Sequence, residues 1–286
     1  MNWSQEISQT WSLPVPFTAT AALVLAVYSC GWLNLRRAAA HASSAVELWR
    51  GFSFLCGIFL IWVAVASPLA ALDDESLTVH MVQHLLLMTV APLLILLGKP
   101  ALPLLHGLPA RVVQFALGPF LRSHFVKAVS RLCERMAFCW IFSIGVLIGW
   151  HVPYLFTAAL KSETWHVIEH FSFLLGGFLF WSPVIPVWPN VRLSPQWSQV
   201  LYLFLATLPC DILSAFLVFS DRVVYPVYLG VRRSWDWPVL ADQQCAGALM
   251  WTSVTILYLV PAAILTLRLL EAKPMHQDEL VRSDFR

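Results

Sequence analysis

Two pairs of histidines are the residues best suited to chemistry in this chain. His80 and His84 are four positions apart, and His166 and His170 repeat that spacing. In an α-helix, residues four apart lie on one face, so both imidazoles of each pair can contact one ion. The same spacing binds zinc in the HExxH helix, and imidazole suits zinc, copper, iron and nickel. The sequence therefore predicts two chelating histidine pairs.

The elements that must position these histidines are membrane helices. Hydrophobic residues make up 59% of the chain and charged residues only 12%, against about 45–50% and about 25% in soluble domains. About 20 predominantly apolar residues are needed to cross a bilayer. Seven segments fit this length and predict an all-α integral membrane bundle: Phe17–Leu35, Trp49–Ala66, His80–Leu97, Phe138–Val152 (starting near Leu132), His166–Pro183, Val200–Phe219 and Gln243–Leu269.

The basic residues predict how this bundle is oriented. With the N-terminus outside, fourteen of the eighteen Lys and Arg residues fall on the cytoplasmic side, where such residues concentrate in membrane proteins. We therefore predict an outside N-terminus, a cytoplasmic C-terminus and a multi-pass location in a bacterial inner membrane. The membrane domain covers residues 1–270, and residues 271–286 form a polar cytoplasmic tail. The basic loop 99–135 is expected to lie along the cytoplasmic headgroups.

This orientation brings five of the nine histidines to one depth. His80 and His84 lie at the outer end of the third span, His151 at that of the fourth, and His166 and His170 at that of the fifth. The orientation came from Lys and Arg alone, so the coincidence is independent of it. Ionisable residues inside spans are costly and mark functional sites. The alternative is that each histidine only forms hydrogen bonds at the interface. We predict a metal site on the periplasmic side, with copper favoured over haem.

Four polar residues are expected to support this site. Gln83 and Glu169 each precede the second histidine of a pair and can orient a ring N–H. Asp242 and Gln243 begin the seventh span at the same depth. The acidic run 73–75 is expected to be a solvated outer loop that attracts cations.

Several function classes are excluded or left open. The last span contains no lysine for a retinal Schiff base, and the chain has neither a Walker A nor a GxSxG sequence, so we expect no enzyme. The net charge of +2 is small, so we expect no nucleic-acid partner. Three readings remain: a metal-handling assembly protein, a haem-binding or quinone-linked redox protein, and a copper transporter. Paired histidines favour a bare ion, since a haem needs one histidine per face.

Longer strings in the sequence are similar to a known family. They are HMVQHLLLM at 80–88, HVP at 151–153, HVIEH at 166–170 and DQQCAGALMW at 242–251. In this order they resemble the CtaG family of caa3-type cytochrome c oxidase assembly factors over roughly residues 50–270. The resemblance implies a bacterial inner-membrane protein that assists maturation of a haem–copper oxidase at a copper-delivery step. It implies oxidase subunits and periplasmic copper chaperones as partners, and the five histidines as site residues.

Overall fold

A computed structural model describes residues 11–39, 47–186, 194–231, 233 and 236–271, and every regular element within these ranges is helical. This confirms the all-α fold class. The helices of seven or more residues are α1 (Val15–Ala39), α2 (Leu48–Ala66), α3 (Leu77–Leu97), α4 (Ala101–Gly107), α5 (His124–Cys133), α6 (Met136–His151), α7 (Pro153–Lys161), α8 (Glu163–Trp181), α9 (Gln196–Phe219) and α10 (Val239–Glu271). Residues 272–286 of the predicted tail lie outside the described ranges.

Within the described ranges, five helices are long and apolar enough to cross a membrane, namely α1, α2, α3, α9 and α10. A sixth crossing results if α5 and α6 count as one bent span. α6 alone has 16 residues, while α8 has 19 residues with both histidines and two glutamates near its start. These two helices coincide with the predicted fourth and fifth spans. Seven crossings and their orientation stay predictions.

The fourth predicted span does not begin near Leu132. The chain bends by 82° between α5 and α6, and the helix that coincides with this predicted span begins at Met136. Glu134 and Arg135 occupy the bend. Because charged side chains are costly inside the hydrocarbon region, the turn keeps this pair at the end of the apolar helix.

Part of the predicted headgroup loop packs against the first long helix. α4 packs against α1 where two glycines allow the backbones to touch. A Cβ atom on Gly31 would lie 1.8 Å from the Pro103 carbonyl oxygen, and one on Gly107 would lie 1.9 Å from that of Val27. The position of 99–135 along the headgroups stays a prediction, and within it 101–107 also packs against α1.

α3 is the central helix of the bundle. In its most apolar 18-residue window 61% of residues are buried, against at most 39% in the other four long helices. It contacts α2, α8 and α10. A π-helical turn at Leu86–Val90 interrupts α3 directly after its second histidine, and such turns are frequent at functional sites. The element that carries the first histidine pair is thus enclosed by protein.

One glycine sets the distance between α3 and α8. A Cβ atom at Gly177 would lie 2.3 Å from the Met88 carbonyl oxygen and 2.6 Å from Pro92 Cγ. At the neighbouring Gly176, it would meet no atom nearer than 3.8 Å. Only a residue without a side chain lets α8 lie this close to the π-helical turn.

Candidate metal site

The two histidine pairs face each other across the α3–α8 interface. Ring centroids are 4.2 Å apart within each pair. Between the pairs, the centroids are 5.7 Å apart for His80–His166 and 5.9 Å apart for His84–His170. The four imidazoles therefore form a rectangle, which we call the histidine cluster. The four-residue spacing on two adjacent helices produces this arrangement.

Glu169 lies inside the histidine cluster. Its Oε1 atom is 3.7 Å from His80 Nε2 and 3.6 Å from His84 Nε2, and its side chain is fully buried. These separations are too long for hydrogen bonds. Ligand atoms of these three residues all lie within 4.8 Å of one another. The predicted role for Glu169 was to orient a histidine ring, but the structure places its carboxylate where it can itself be a ligand.

A second carboxylate reaches the cluster from the loop before α3. Asp73 Oδ2 is 3.3 Å from His166 Nε2, and ligand atoms of Asp73, His80 and His166 lie within 4.8 Å of one another. Asp73 is 2% exposed, so the expectation of a solvated acidic run is wrong at this position, although Asp74 is exposed. Burial raises the pKa of Asp73 to about 6, against the opposing effects of His80 and of a hydrogen bond from Gln83.

The donor atoms of the cluster lack hydrogen bonds. Among the described residues, thirteen buried side-chain nitrogen and oxygen atoms have no hydrogen-bond partner, and nine of them belong to the histidine cluster and its two carboxylates. These nine are Asp73 Oδ2, both ring nitrogens of His80 and of His84, Nε2 of His166 and of His170, and both oxygens of Glu169. Buried polar groups are normally paired, and each exception needs an explanation. A bound cation would give one donor atom of each ligand residue a partner.

The spacing of these donors fits a metal ion. A tetrahedral ion with bonds of about 2.0–2.1 Å holds its ligand atoms about 3.3–3.4 Å apart. The three imidazole–carboxylate separations are 3.3, 3.6 and 3.7 Å. Each of these three pairs therefore lies within a few tenths of an ångström of the spacing that an ion requires, and the other ligand atoms of each set lie within 4.8 Å of them.

His151, at the end of α6, lies beside the cluster. Its Nδ1 atom is 2.7 Å from the Leu147 carbonyl oxygen, so Nδ1 carries the proton and Nε2 keeps a free lone pair. Nε2 is buried without a hydrogen bond. His84 and His151 both line a cavity of about 20 Å³, which is room for about one water molecule. The structure thus brings four of the five predicted histidines together and places the fifth across this cavity.

Asp242 holds the start of α3 in place. Its carboxylate accepts hydrogen bonds from Ser76 Oγ at 2.9 Å, from the Leu77 amide at 2.9 Å and from the Thr78 amide at 3.2 Å. It also pairs with the Arg233 guanidinium. A carboxylate at a helix N-terminus satisfies free amides and favours the helix dipole. Asp242 therefore fixes the helix end from which His80 projects one turn later.

The two glutamines also hold backbone next to the site. Gln243 Oε1 accepts a hydrogen bond from the Val224 amide at 2.7 Å, and its amide nitrogen donates to the Arg222 carbonyl at 3.2 Å. Gln83 Nε2 donates to the Ala64 carbonyl at 3.1 Å. The predicted supporting residues thus contact the loops and helices around the cluster, while Glu169 belongs to the cluster itself.

Sequence reasoning missed Asp73. Three acidic residues run together at 73–75, and the sequence gives no pattern by which one of them is buried. The loop backbone is fixed by distant residues, since the Tyr228 hydroxyl donates a hydrogen bond to the Asp73 carbonyl at 3.1 Å. The one feature of the sequence that could have indicated a role for Asp73 is the position of the acidic run, directly before the helix of the first histidine pair.

Comparisons with known proteins identify the family of this chain. An uncharacterised protein of Mycobacterium leprae is 24% identical over 86% of this chain, and another of Mycobacterium bovis is 25% identical over 85% of it. The chain spans only 37% of the length of either relative. No solved structure matches the chain. The profile of the cytochrome c oxidase caa3 assembly factors (Caa3_CtaG) matches residues 26–272, which include every residue of the cluster. The chain therefore belongs to the family of cytochrome c oxidase caa3 assembly factors.

Proposed function

We propose that this assembly factor binds a copper ion in the histidine cluster and presents it to the oxidase during assembly. The observation that carries the proposal is the set of nine buried donor atoms without hydrogen bonds. Leaving such groups unpaired in the core costs free energy. A metal ion can bind one lone pair from each of several of these residues, so the cluster is better suited to a cation than to an apolar ligand.

Copper fits this donor set and the family role. Imidazole and carboxylate donors bind divalent first-row metals, and among these Cu²⁺ is bound most tightly. A cytochrome c oxidase of the haem–copper type needs copper for its own centres, so a copper-binding assembly factor has a direct recipient. Neutral imidazole is the binding form, so acidification is expected to release the ion.

The proposed topology places the cluster within reach of periplasmic partners. It has seven spans in a bacterial inner membrane, the N-terminus outside and the cluster at the periplasmic end. The distribution of Lys and Arg residues supports it. In intact cells, a membrane-impermeant thiol reagent should label Asp74→Cys but not Lys127→Cys in a background without native cysteines. Labelling of Lys127→Cys but not of Asp74→Cys would show that the orientation is opposite to the proposed one.

The alternatives fit the packing less well. A haem needs a wide planar space, whereas the cavity beside His84 and His151 has about 20 Å³. A transporter needs polar groups through the depth of the bundle. The central α3 is instead apolar beyond its second histidine, apart from Thr89, whose hydroxyl bonds to its own helix.

The test is the copper content of the detergent-purified full chain by mass spectrometry, after loading with Cu(II) or Cu(I) and desalting. We expect about one copper ion per wild-type chain and none in His80→Ala/His84→Ala. The matched control is His106→Ala/His124→Ala, which removes two exposed histidines outside the cluster and should retain the ion. A wild-type protein without copper, or a cluster variant that keeps it, would refute copper binding at this site.

A second readout links binding to assembly. Cells whose only copy of the assembly factor carries His80→Ala/His84→Ala should contain oxidase with less copper than cells with the His106→Ala/His124→Ala control. Equal copper content in the two oxidases would show that the cluster does not serve copper delivery.

A further inference from the structure

Two overlapping sets of ligands lie in the histidine cluster. Asp73, His80 and His166 form one set, and His80, His84 and Glu169 form the other. We call the first the rim position and the second the deep position. Each consists of two imidazoles and one carboxylate, and His80 belongs to both.

The rim position is the one that solvent reaches. The His166 side chain is 23% exposed, and the exposed Asp74 adjoins Asp73. In the deep position the side chains of His80 and Glu169 are fully buried and that of His84 is 5% exposed. An ion arriving from the end of the bundle therefore meets the rim donors first.

The two positions cannot be filled at once without a chemical cost. A neutral imidazole offers one lone pair to a metal, and its second nitrogen carries a proton. His80 would have to lose that proton to bridge two ions. The positions are also close enough for two cations to repel each other strongly in a buried site.

Movement of one ion between the positions conserves charge. Asp73 and His166 leave the ion while Glu169 and His84 bind it, and His80 stays coordinated throughout. One carboxylate and one imidazole are exchanged for another of each. No electron needs to be transferred, and the ion keeps two imidazoles and one carboxylate, so the net charge of the ion with its ligands stays the same.

We infer that the ion enters at the rim position and passes to the deep position by exchanging two ligands around a shared His80. The inference rests on the proposed metal binding and adds that Asp73 is a ligand that binds the ion as it enters. Asp73 Oδ2 is buried, lacks a hydrogen bond and lies 3.3 Å from His166 Nε2. That placement separates it from the solvated Asp74 beside it.

The experiment uses Cu(II) and the detergent-purified full chain with isosteric substitutions. Asp73→Asn removes the rim carboxylate, Glu169→Gln removes the deep carboxylate, and Asp74→Asn removes the same charge from an exposed neighbour. Stopped-flow quenching of tryptophan fluorescence gives association and dissociation rates, and mass spectrometry gives stoichiometry. His166→Gln offers a second way to remove the rim position, should Asp73→Asn alter folding.

Each variant has a distinct expected result. Asp73→Asn and His166→Gln should keep about one copper ion but bind it at least tenfold more slowly, while Asp74→Asn should change the rate less than twofold. Glu169→Gln should still bind one ion and release it at least tenfold faster than wild type. The Asp73→Asn/Glu169→Gln double variant should retain none.

Three outcomes overturn the inference while leaving copper binding intact. They are two ions bound per wild-type chain, equal association rates for Asp73→Asn and Asp74→Asn, and complete loss of copper in either single carboxylate variant. The last would mean one site that needs both carboxylates. A wild-type chain that binds no copper refutes the proposed function itself, so the two failures are distinguishable.

Discussion

Replacing Gly177 by alanine should weaken metal binding without touching a ligand. The added Cβ atom would lie 2.3 Å from the Met88 carbonyl oxygen and 2.6 Å from Pro92 Cγ. Both neighbours belong to α3 and neither can rotate away, since one is backbone and the other a proline ring. α8 must therefore move away from α3, and it carries His166 and His170 with it.

The size of this movement follows from the contact distances. Restoring the 2.3 Å contact to the 3.4 Å of an ordinary contact requires about 1 Å of separation. Metal sites tolerate errors of only about 0.2 Å in their bond lengths. We expect a loss of copper affinity of about 10- to 100-fold, the range seen when the support of metal ligands is removed. Overpacking should also lower the free energy of unfolding by about 1–3 kcal/mol.

Gly176→Ala is the matched control, because its Cβ atom would meet nothing nearer than 3.8 Å. Copper affinity is measured by competition with a chromophoric chelator, and stability by thermal unfolding in detergent. Gly176→Ala should bind copper like wild type and Gly177→Ala should not. Equal affinity in the two variants would refute the idea that the α3–α8 distance sets the site.

Three other substitutions probe the surroundings of the cluster through stability. In the metal-free protein the raised pKa of Asp73 means that the folded chain holds the carboxyl proton to higher pH than the unfolded chain does. The free energy of unfolding therefore falls as the pH rises from about 4 to about 6. Thermal unfolding of Asp73→Asn should show a gain of up to about 3 kcal/mol at pH 7 and none near pH 4. Asp242→Ala leaves the Arg233 guanidinium and three donors at the start of α3 without their carboxylate. It should lower the free energy of unfolding by about 3–5 kcal/mol, whereas the exposed control Asp221→Ala should lower it little. Equal melting temperatures of the two variants would contradict this. Trp181→Phe removes the 3.0 Å hydrogen bond from Nε1 to the Thr89 carbonyl and should lower the free energy of unfolding by about 1 kcal/mol, a result that an unchanged melting temperature would exclude.

Hydropathy located the long helices to within a few residues. α2 is the predicted second span, Trp49–Ala66, with one residue added at its start, and α3 is the predicted third span with three residues added before His80. The failures occur where tertiary packing decides. The bend at positions 134–135 depends on where two charges can reach water, and the docking of α4 depends on glycines in two distant segments.

The candidate site was predictable to the extent that helix periodicity determines it. The spacing of the two pairs placed each on one helix face, and the basic residues placed both at one end of the bundle. Nothing local distinguishes Asp73 from Asp74, because the burial of Asp73 depends on a loop held by Tyr228. Nor does the sequence show that Glu169 lies between His80 and His84, since its direction depends on how α8 is rotated against α3.

The absence of hydrogen bonds within the cluster also bears on how fast an ion could move there. A donor atom paired with a protein group must break that bond before it binds a metal, whereas Glu169 and His84 have no such bond to break. The supporting contacts of Asp242 and Gln243 go to backbone, so the framework stays fixed while ligands exchange. The same unpaired groups destabilise the metal-free chain. Copper at one hundred times its Kd should stabilise the wild type by about 2.7 kcal/mol, because it binds only the folded chain. Copper should therefore raise the melting temperature of the wild type by the amount that this free energy gives and should not raise that of His80→Ala/His84→Ala. An equal rise in both proteins would mean that copper binds outside the cluster.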